Sequence, residues 1–379
     1  MNATVRKKPN KSGLKFEDAS ASSFGWDFQA NAGLYLFIKQ IKTAKSVKIE
    51  TRHQDIVIAF NDETFHYIQA KSARDFNDTT NSVVKIKDAL VSLVKTPAAE
   101  NDKLIYATNI HTPLLNDSEI FKNKLQWFND CPSNIKDEIE KRFGEIVSKV
   151  NNEIADSSIS NKRKKNLEAI KENLEKFCFD NFGIIVLYPY NTNPDNRYSM
   201  IKDEIIKMLS DMQFSSVDAN LVVNKLLTHW QNLFRANSTI SDLKNFNKSI
   251  TKAEFVWPVV IFLSNFDIDK VSPLLSFTAD DDLENRVKIY LEESWIYHER
   301  FEFLSKILKS FNDYKKRFVR QNNLSVNDEF IKNEWKLFEQ EFITAVNDDN
   351  FREFVTKVFL HKIIKNYSNH VNVASGVRL

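Results

Sequence analysis

Residues 25–41 read GWDFQANAGLYLFIKQI, and Phe28, Leu34, Tyr35, Phe37, Ile38 and Ile41 fall on one broad apolar helical face. The hydrophobic period then shortens to that of extended chain. Residues 47–50 predict a first strand, and 55–60 a second, β-branched and apolar behind the leading carboxylate of Asp55. A polar turn, Asn61-Asp62-Glu63-Thr64, joins it to residues 65–71, whose alternation marks a strand with two unlike faces. On that alternation Gln69 and Lys71 point one way, and Ile68 and Ala70 the other. Helical spacing returns over 82–95, with Ser82 as a candidate N-cap, and 104–109 predict a fourth strand. The order is helix, three strands, helix, strand. That is a compact α/β core closing by residue 110.

The pattern after that core is mostly helical. Residues 116–180 are highly charged helical stretches and read as an insertion, with the apolar run 183–188 returning as a strand at the sheet edge. From Ser199 onward, segments such as 218–235, 283–311, 327–345 and 350–366 repeat apolar residues at three and four. Phe and Trp recur there as core-packing residues of a helical bundle. No fixed-period repeat emerges. The expected division is a basic, disordered tail at 1–22, an α/β domain at 23–195 with its helical insertion, and an α-helical regulatory or oligomerisation domain at 196–379. The residues after Lys365 are expected to be loose.

Composition narrows the class. A length of 379 residues suits two domains. Only 6 Gly and 8 Pro leave little room for a turn-rich all-β fold, and an apolar fraction of 42% with 27% charged residues suits a globular protein. A net charge of +2 selects neither nucleic acid nor protein as the partner. Cys131 and Cys178 stand alone, with no CxxC spacing, so neither a disulfide framework nor a structural zinc site is expected, and a reducing cytoplasm fits. The basic N-terminus lacks the apolar region of a secretory signal. No run approaches the roughly 20 apolar residues of a membrane span; the longest, 255–263, contains Pro258.

Candidate chemistry gathers at the hairpin. Asp55 lies on the strand beside the one carrying Gln69 and Lys71, so an acid, an amide and an amine can converge at one sheet edge. Mg²⁺ prefers oxygen ligands and keeps several waters. Asp55 offers an anionic oxygen, Gln69 a neutral one and the Ala70 carbonyl a third, with Mn²⁺ as an alternative ion. Lys71 suits a water or a phosphate whose charge develops in the transition state. Glu50, ending the preceding strand, is either a further ligand or an outer base. Each alone reads as an ordinary polar residue of a solvated hairpin; adjacency in this order is what favours a site. His53 and His66 read as surface or packing residues. Asp280-Asp281-Asp282 reads as a helix start, where carboxylates meet the dipole and cap the first turn. The basic runs at 161–165 and 315–320 read as solvated helical segments more readily than as DNA-contacting patches. No P-loop or nucleophilic triad competes with the hairpin.

The succession GWDFQ, Glu50, Asp55-Ile-Val, Gln69-Ala-Lys71, a helix and IYATN resembles the PD-(D/E)xK restriction-endonuclease-like superfamily. More narrowly, it resembles the branch with Gln-x-Lys for Glu-x-Lys. That branch includes the nuclease domain of CD-NTase-associated anti-phage effectors and the nuclease subunit of Lamassu-type defence systems. The resemblance covers residues 24–110 and extends toward 190. It implies Mg²⁺-dependent cleavage of double-stranded DNA, with Asp55 as metal ligand, Gln69 in place of the second acid and Lys71 as the catalytic lysine. Glu50 and Gln29 match flanking positions. The helical C-terminal half shows no α/β sensor pattern for a cyclic oligonucleotide, which favours activation by partner proteins. In a Lamassu-like setting those partners are an SMC-like ATPase and a small accessory subunit. Cutting two strands implies a dimer or tetramer. Two alternatives stand beside this: a non-cutting DNA- or partner-binding subunit, and a ribonuclease on the same fold.

Overall fold

A computed structural model describes residues 19–51, 54–75, 77, 82–115, 119–156, 158–239, 249–263, 268–291, 301–317, 325–342 and 348–379. Most of the basic tail expected at 1–22, His53 and the end of the basic run at 315–320 lie outside these residues. The α/β core has the order the sequence pattern predicts: α1 (Ala19–Lys39), β1 (Ala44–Ile49), β2 (Ile56–Phe60), β3 (Phe65–Lys71), α2 (Ser82–Val94) and β4 (Lys103–Thr108). Then follow β5 (Gln126–Trp127), α3 (Ser133–Ala155), α4 (Asn161–Glu175) and β6 (Phe182–Val186). The remaining helices are α5 (Pro194–Arg197), α6 (Ser199–Asp211), α7 (Ser216–Thr239), α8 (Lys252–Phe262), α9 (Ile268–Val271), α10 (Asp281–Ile289), α11 (Phe301–Arg317), α12 (Val326–Glu334), α13 (Glu339–Phe342), α14 (Asp349–Lys365) and α15 (Tyr367–Val377).

These strands form one mixed sheet in the order β5-β6-β4-β3-β2-β1-β7, where β7 is Ile250–Thr251. The hairpin partners β1, β2 and β3 are antiparallel, whereas β3, β4 and β6 run parallel. Helices cover both faces, which explains why β4 and β6 read as unbroken apolar runs. Ile105, Ala107 and Ile185 pack toward α1, α6 and α7. Leu104, Tyr106, Ile184 and Val186 pack toward α2, α3 and α4. In β2, by contrast, Ile56, Ile58 and Phe60 are buried while Val57 and Ala59 are half-buried, and that strand alternates.

Three details depart from the sequence pattern. The run at 183–188 returns as β6, but β5 pairs outside it and holds the edge. Packing also runs across the 195/196 division: a single apolar cluster joins Phe28 and Phe37 of α1 to Trp230, Phe255 and Val373. Chain from the later half even supplies β7, which pairs with Ser46 and Val47 of β1. Finally, the tail expected to be loose after Lys365 is α15, with Val373 and Val377 fully buried. Its attachment depends on Gly376, where an added Cβ would lie 2.8 Å from Met212 Cα and 2.7 Å from Met212 Cγ. Backbone there cannot yield as a flexible side chain would. Gly376→Ala should therefore destabilise the fold by roughly 1–3 kcal/mol in urea unfolding, the usual cost of overpacking.

Candidate active site

Asp55 sits one residue before β2. The antiparallel register that places Ile56 opposite Ile68 brings Asp55 across from Gln69. A carboxylate only accepts, so the amide nitrogen of Gln69 must face it, and Gln69 Nε2 donates to Asp55 Oδ2. The backbone amide of Ala70 donates to the same oxygen at 2.8 Å. Within a strand, a residue's N–H and C=O point to the same side, so the Ala70 carbonyl faces toward Asp55 as well. Gln69 is 4% exposed, which makes its amide a fixed brace for the acid. This modifies the sequence expectation: Gln69 meets Asp55 through its nitrogen, leaving Oε1 as its acceptor.

Glu50 closes the other side. Its amide donates to the Asp55 carbonyl at 2.7 Å, and the Thr51 amide to the Gln54 carbonyl at 2.9 Å, closing the turn between β1 and β2. Its φ of 53° lies in the left-handed region, a conformation a bulky non-glycine residue adopts only where its surroundings impose it. Burial raises the Glu50 pKa, Asp55 raises it further and Lys71 opposes both. Asp55 is likewise raised by burial, against the Ala70 amide, the Lys71 charge and a hydrogen bond from the Gln29 side chain on α1. Two carboxylates raised by burial, Glu50 further by Asp55, share the charge of one lysine.

The chain just past Lys71 is clamped. Lys85 of α2 donates to the Ser72 carbonyl. Asn109, directly after β4, accepts from the Ala73 amide at 2.8 Å and donates to the carbonyls of Ala73 at 2.6 Å and Tyr190 at 2.9 Å. The Tyr190 hydroxyl donates in turn to Asp27 Oδ2 on α1, at 2.5 Å. Asp27 also accepts from Tyr198 at 3.0 Å and from Arg235 of α7 at 2.6 Å, with Arg197 at 3.6 Å. Asp27 stands beside Gln29 in the GWDFQ segment, but its ionic network has no signal in the sequence, because its partners lie more than 160 residues away.

His66 does not join the site. It faces the apolar side of β3, its ring 4.3 Å from Phe60 and 5.9 Å from Trp127, and burial with the nearby Lys103 lowers its pKa to about 4. His229, edge-on to Phe262 with ring centres 6.2 Å apart, is lowered to about 4 by burial. Both are neutral in the fold, while the unfolded chain takes up protons near pH 6.5. Stability should thus be intact above pH 6.5 and fall as the pH drops from there toward 4. His66→Phe should flatten that slope in melting curves recorded across the range.

The other candidates behave as solvated or capping residues. Asp280 caps α10 through the Leu283 amide at 2.8 Å, and the basic residues 162–165 open α4 exposed to solvent. Lys315, Lys316 and Arg317 end α11 exposed. Cys131 is buried, its thiol pushed up to about 11 by burial, and Cys178 is exposed; both are free. Among the described residues, no group of three or more His, Cys, Asp or Glu side chains is placed to hold a metal, and no helix is long and apolar enough to cross a membrane.

No protein-family model matches the chain, and no curated protein matches it in sequence. Among solved structures, it is similar to the Cap4 SAVED/CARF-domain containing receptor of Moraxella osloensis, at 12% identity and a TM-score of 0.30. The likeness covers 66% of this chain and 50% of the receptor, so this chain spans about half of that protein. A likeness at that level carries no argument.

Proposed function

We propose that the chain is a Mg²⁺-dependent endonuclease of double-stranded DNA, the effector subunit of a bacterial anti-phage or anti-plasmid complex. One observation carries the reading. Asp55, Gln69, Ala70 and Lys71 meet through hydrogen bonds and charge at the end of a β-hairpin, with Glu50 turned in beside them. The donor set fits the ion. Mg²⁺ uses one or two carboxylates and keeps waters and substrate phosphates for its other positions, and two half-buried carboxylates whose ionisation burial disfavours gain from a cation. Asp55 and Glu50 would hold it, with the Ala70 carbonyl in reach.

Bound Mg²⁺ supplies Lewis acidity and a water of lowered pKa. The rest falls to side chains. Gln69 and Gln29 keep Asp55 in one orientation, so no rearrangement is needed when substrate arrives. Lys71 places a compact positive charge where the phosphodiester gains negative charge. Asn109 and Lys85 hold the backbone that follows Lys71, which limits how far the ammonium wanders. An SMC-like ATPase and a small accessory subunit as activating partners, and a dimer or tetramer as the cutting form, belong to the same proposal through the sequence resemblance.

The test is nicking of supercoiled plasmid with Mg²⁺, Mn²⁺ or EDTA, by the chain alone and together with the proteins encoded beside it, with RNA as competitor. Metal-dependent nicking abolished by EDTA supports the reading. Plasmid left intact under every condition overturns it, and preferential loss of RNA reassigns the substrate.

A further inference from the structure

Glu50 holds a left-handed backbone at the end of β1, and part of what holds it comes from the other half of the chain. Amides of successive strand residues point to opposite sides. The Glu50 amide donates to Asp55 on the β2 side, so the Ile49 amide points away from β2. It donates to Asn237 Oδ1 of α7 at 3.0 Å, a buried bond across 188 residues of sequence. Asn237 is 8% exposed. A side-chain oxygen thus takes the place of a strand neighbour immediately before the site.

The same helix also holds α1. Gln231 donates to Asn31 Oδ1 at 2.8 Å, and Arg235, one turn further along the same face, donates to Asp27 Oδ1 at 2.6 Å. Between Asp27 and Asn31 lies Gln29, the residue that hydrogen-bonds Asp55. The last turns of α7 therefore grip both elements that place the two carboxylates. Polar contacts are directional where apolar packing is not, so this grip sets orientation as well as proximity.

Resting on the nuclease reading for its functional consequence, we propose that Asn237 is a positioning residue: its Oδ1 fixes the Lys48–Ile49 peptide, the last before the left-handed turn at Glu50, and so aims the Glu50 carboxylate at Asp55 and Lys71. Through it, and through Gln231 and Arg235, α7 becomes the element by which the helical half of the chain sets the geometry of the cleft.

The experiment compares Asn237→Leu, which keeps size but loses the acceptor, with Asn237→Asp, which keeps the oxygen. Mn²⁺ affinity of the DNA-free protein, titration of the Glu50 carboxyl carbon by NMR, and kcat and KM for plasmid nicking are read on each, after circular dichroism confirms the fold. Outer contacts of this kind typically change metal affinity or activity by about 10–100-fold. Asn237→Leu should weaken Mn²⁺ at least about tenfold, shift the Glu50 titration and lower kcat with KM for DNA within about twofold. Asn237→Asp should stay near wild type in metal binding. A folded Asn237→Leu chain with wild-type Mn²⁺ affinity and Glu50 titration overturns the proposal. So does unfolding of both Asn237→Leu and Asn237→Ala, since the contact is then only a stabilising one. A wild-type chain that cuts no nucleic acid defeats the nuclease reading alone, because the Glu50 titration still answers for Asn237.

Discussion

Lys71→Ala should reduce Mg²⁺-dependent nicking by about 10²–10³-fold, with the fold intact. Removing one preorganised group that meets developing charge typically costs about 10²–10³ in rate, and Lys71 is the cation that acts electrostatically on both Asp55 and Glu50. The half-buried side chain of Lys71 leaves little packing to lose. Asp55→Asn should abolish cleavage as well, through loss of the charged ligand. Its effect on stability separates chemistry from folding. Burial raises the Asp55 pKa above its ordinary value, so the folded chain holds that proton more tightly than the unfolded chain. A raised carboxyl contributes stability that is present below the unfolded pKa and is lost as pH rises through the folded one. At pH 8 the ionised group therefore opposes folding, and the neutral amide that replaces it in the variant would not. The asparagine oxygen placed where Oδ2 lies keeps both donors, the Gln69 side-chain amide and the Ala70 backbone amide. Asp55→Asn should thus show no cleavage and a melting temperature at pH 8 equal to or above wild type. Cleavage at wild-type rate by either variant would defeat the assigned roles.

Asp27→Ala should destabilise the fold by about 2–3 kcal/mol in denaturant titration. Truncating one partner of a buried ion pair typically costs about 3–5 kcal/mol. The lower figure applies here because the Arg235 side chain is 43% exposed and solvent recovers part of the loss. Two tyrosine hydroxyls would be left without their acceptor, and Arg197 and Arg235 without their counter-charge. The pH dependence gives a second check. Burial pushes the Asp27 carboxyl up, but hydrogen bonds from Tyr190, Arg235 and Tyr198 outweigh it and hold the group below its ordinary value. Such a group contributes stability that is present above the unfolded pKa of about 3.9 and is lost as pH falls through the folded value. The gap between wild type and Asp27→Ala should accordingly narrow in acid. A constant gap would mean that packing, and not charge, makes up the loss.

The hairpin was legible from the chain because strand alternation is local. Period-two spacing in 65–71 puts Gln69 and Lys71 on one face, and the four-residue turn fixes which residue of β2 they meet. For the same reason the αβββαβ order could be read from 25–109. Gln69 was only half legible. Its neighbourhood with Asp55 follows from register, but that its nitrogen faces the acid follows from hydrogen-bond complementarity in three dimensions. The strand β5, two residues long, carries no period at all and is defined by its pairing with Gly183 and Ile184. Helix α15 reads as a polar tail, NYSNHVNVASGV, yet it is held because Gly376 allows close approach to Met212.

By itself, the sequence determined the element order and the place of the acid, the amide and the lysine at the hairpin's end. Each depends on spacings of a few residues, which the backbone period converts directly into a face. Tertiary structure alone decided what surrounds them: Gln29 against Asp55, the left-handed turn of Glu50, the Asp27 network and the grip of Asn237 on Ile49. Those contacts join residues as far apart as 208 positions. No local pattern encodes such pairings, because they depend on how whole helices pack against the sheet and on which buried polar atoms must then find partners.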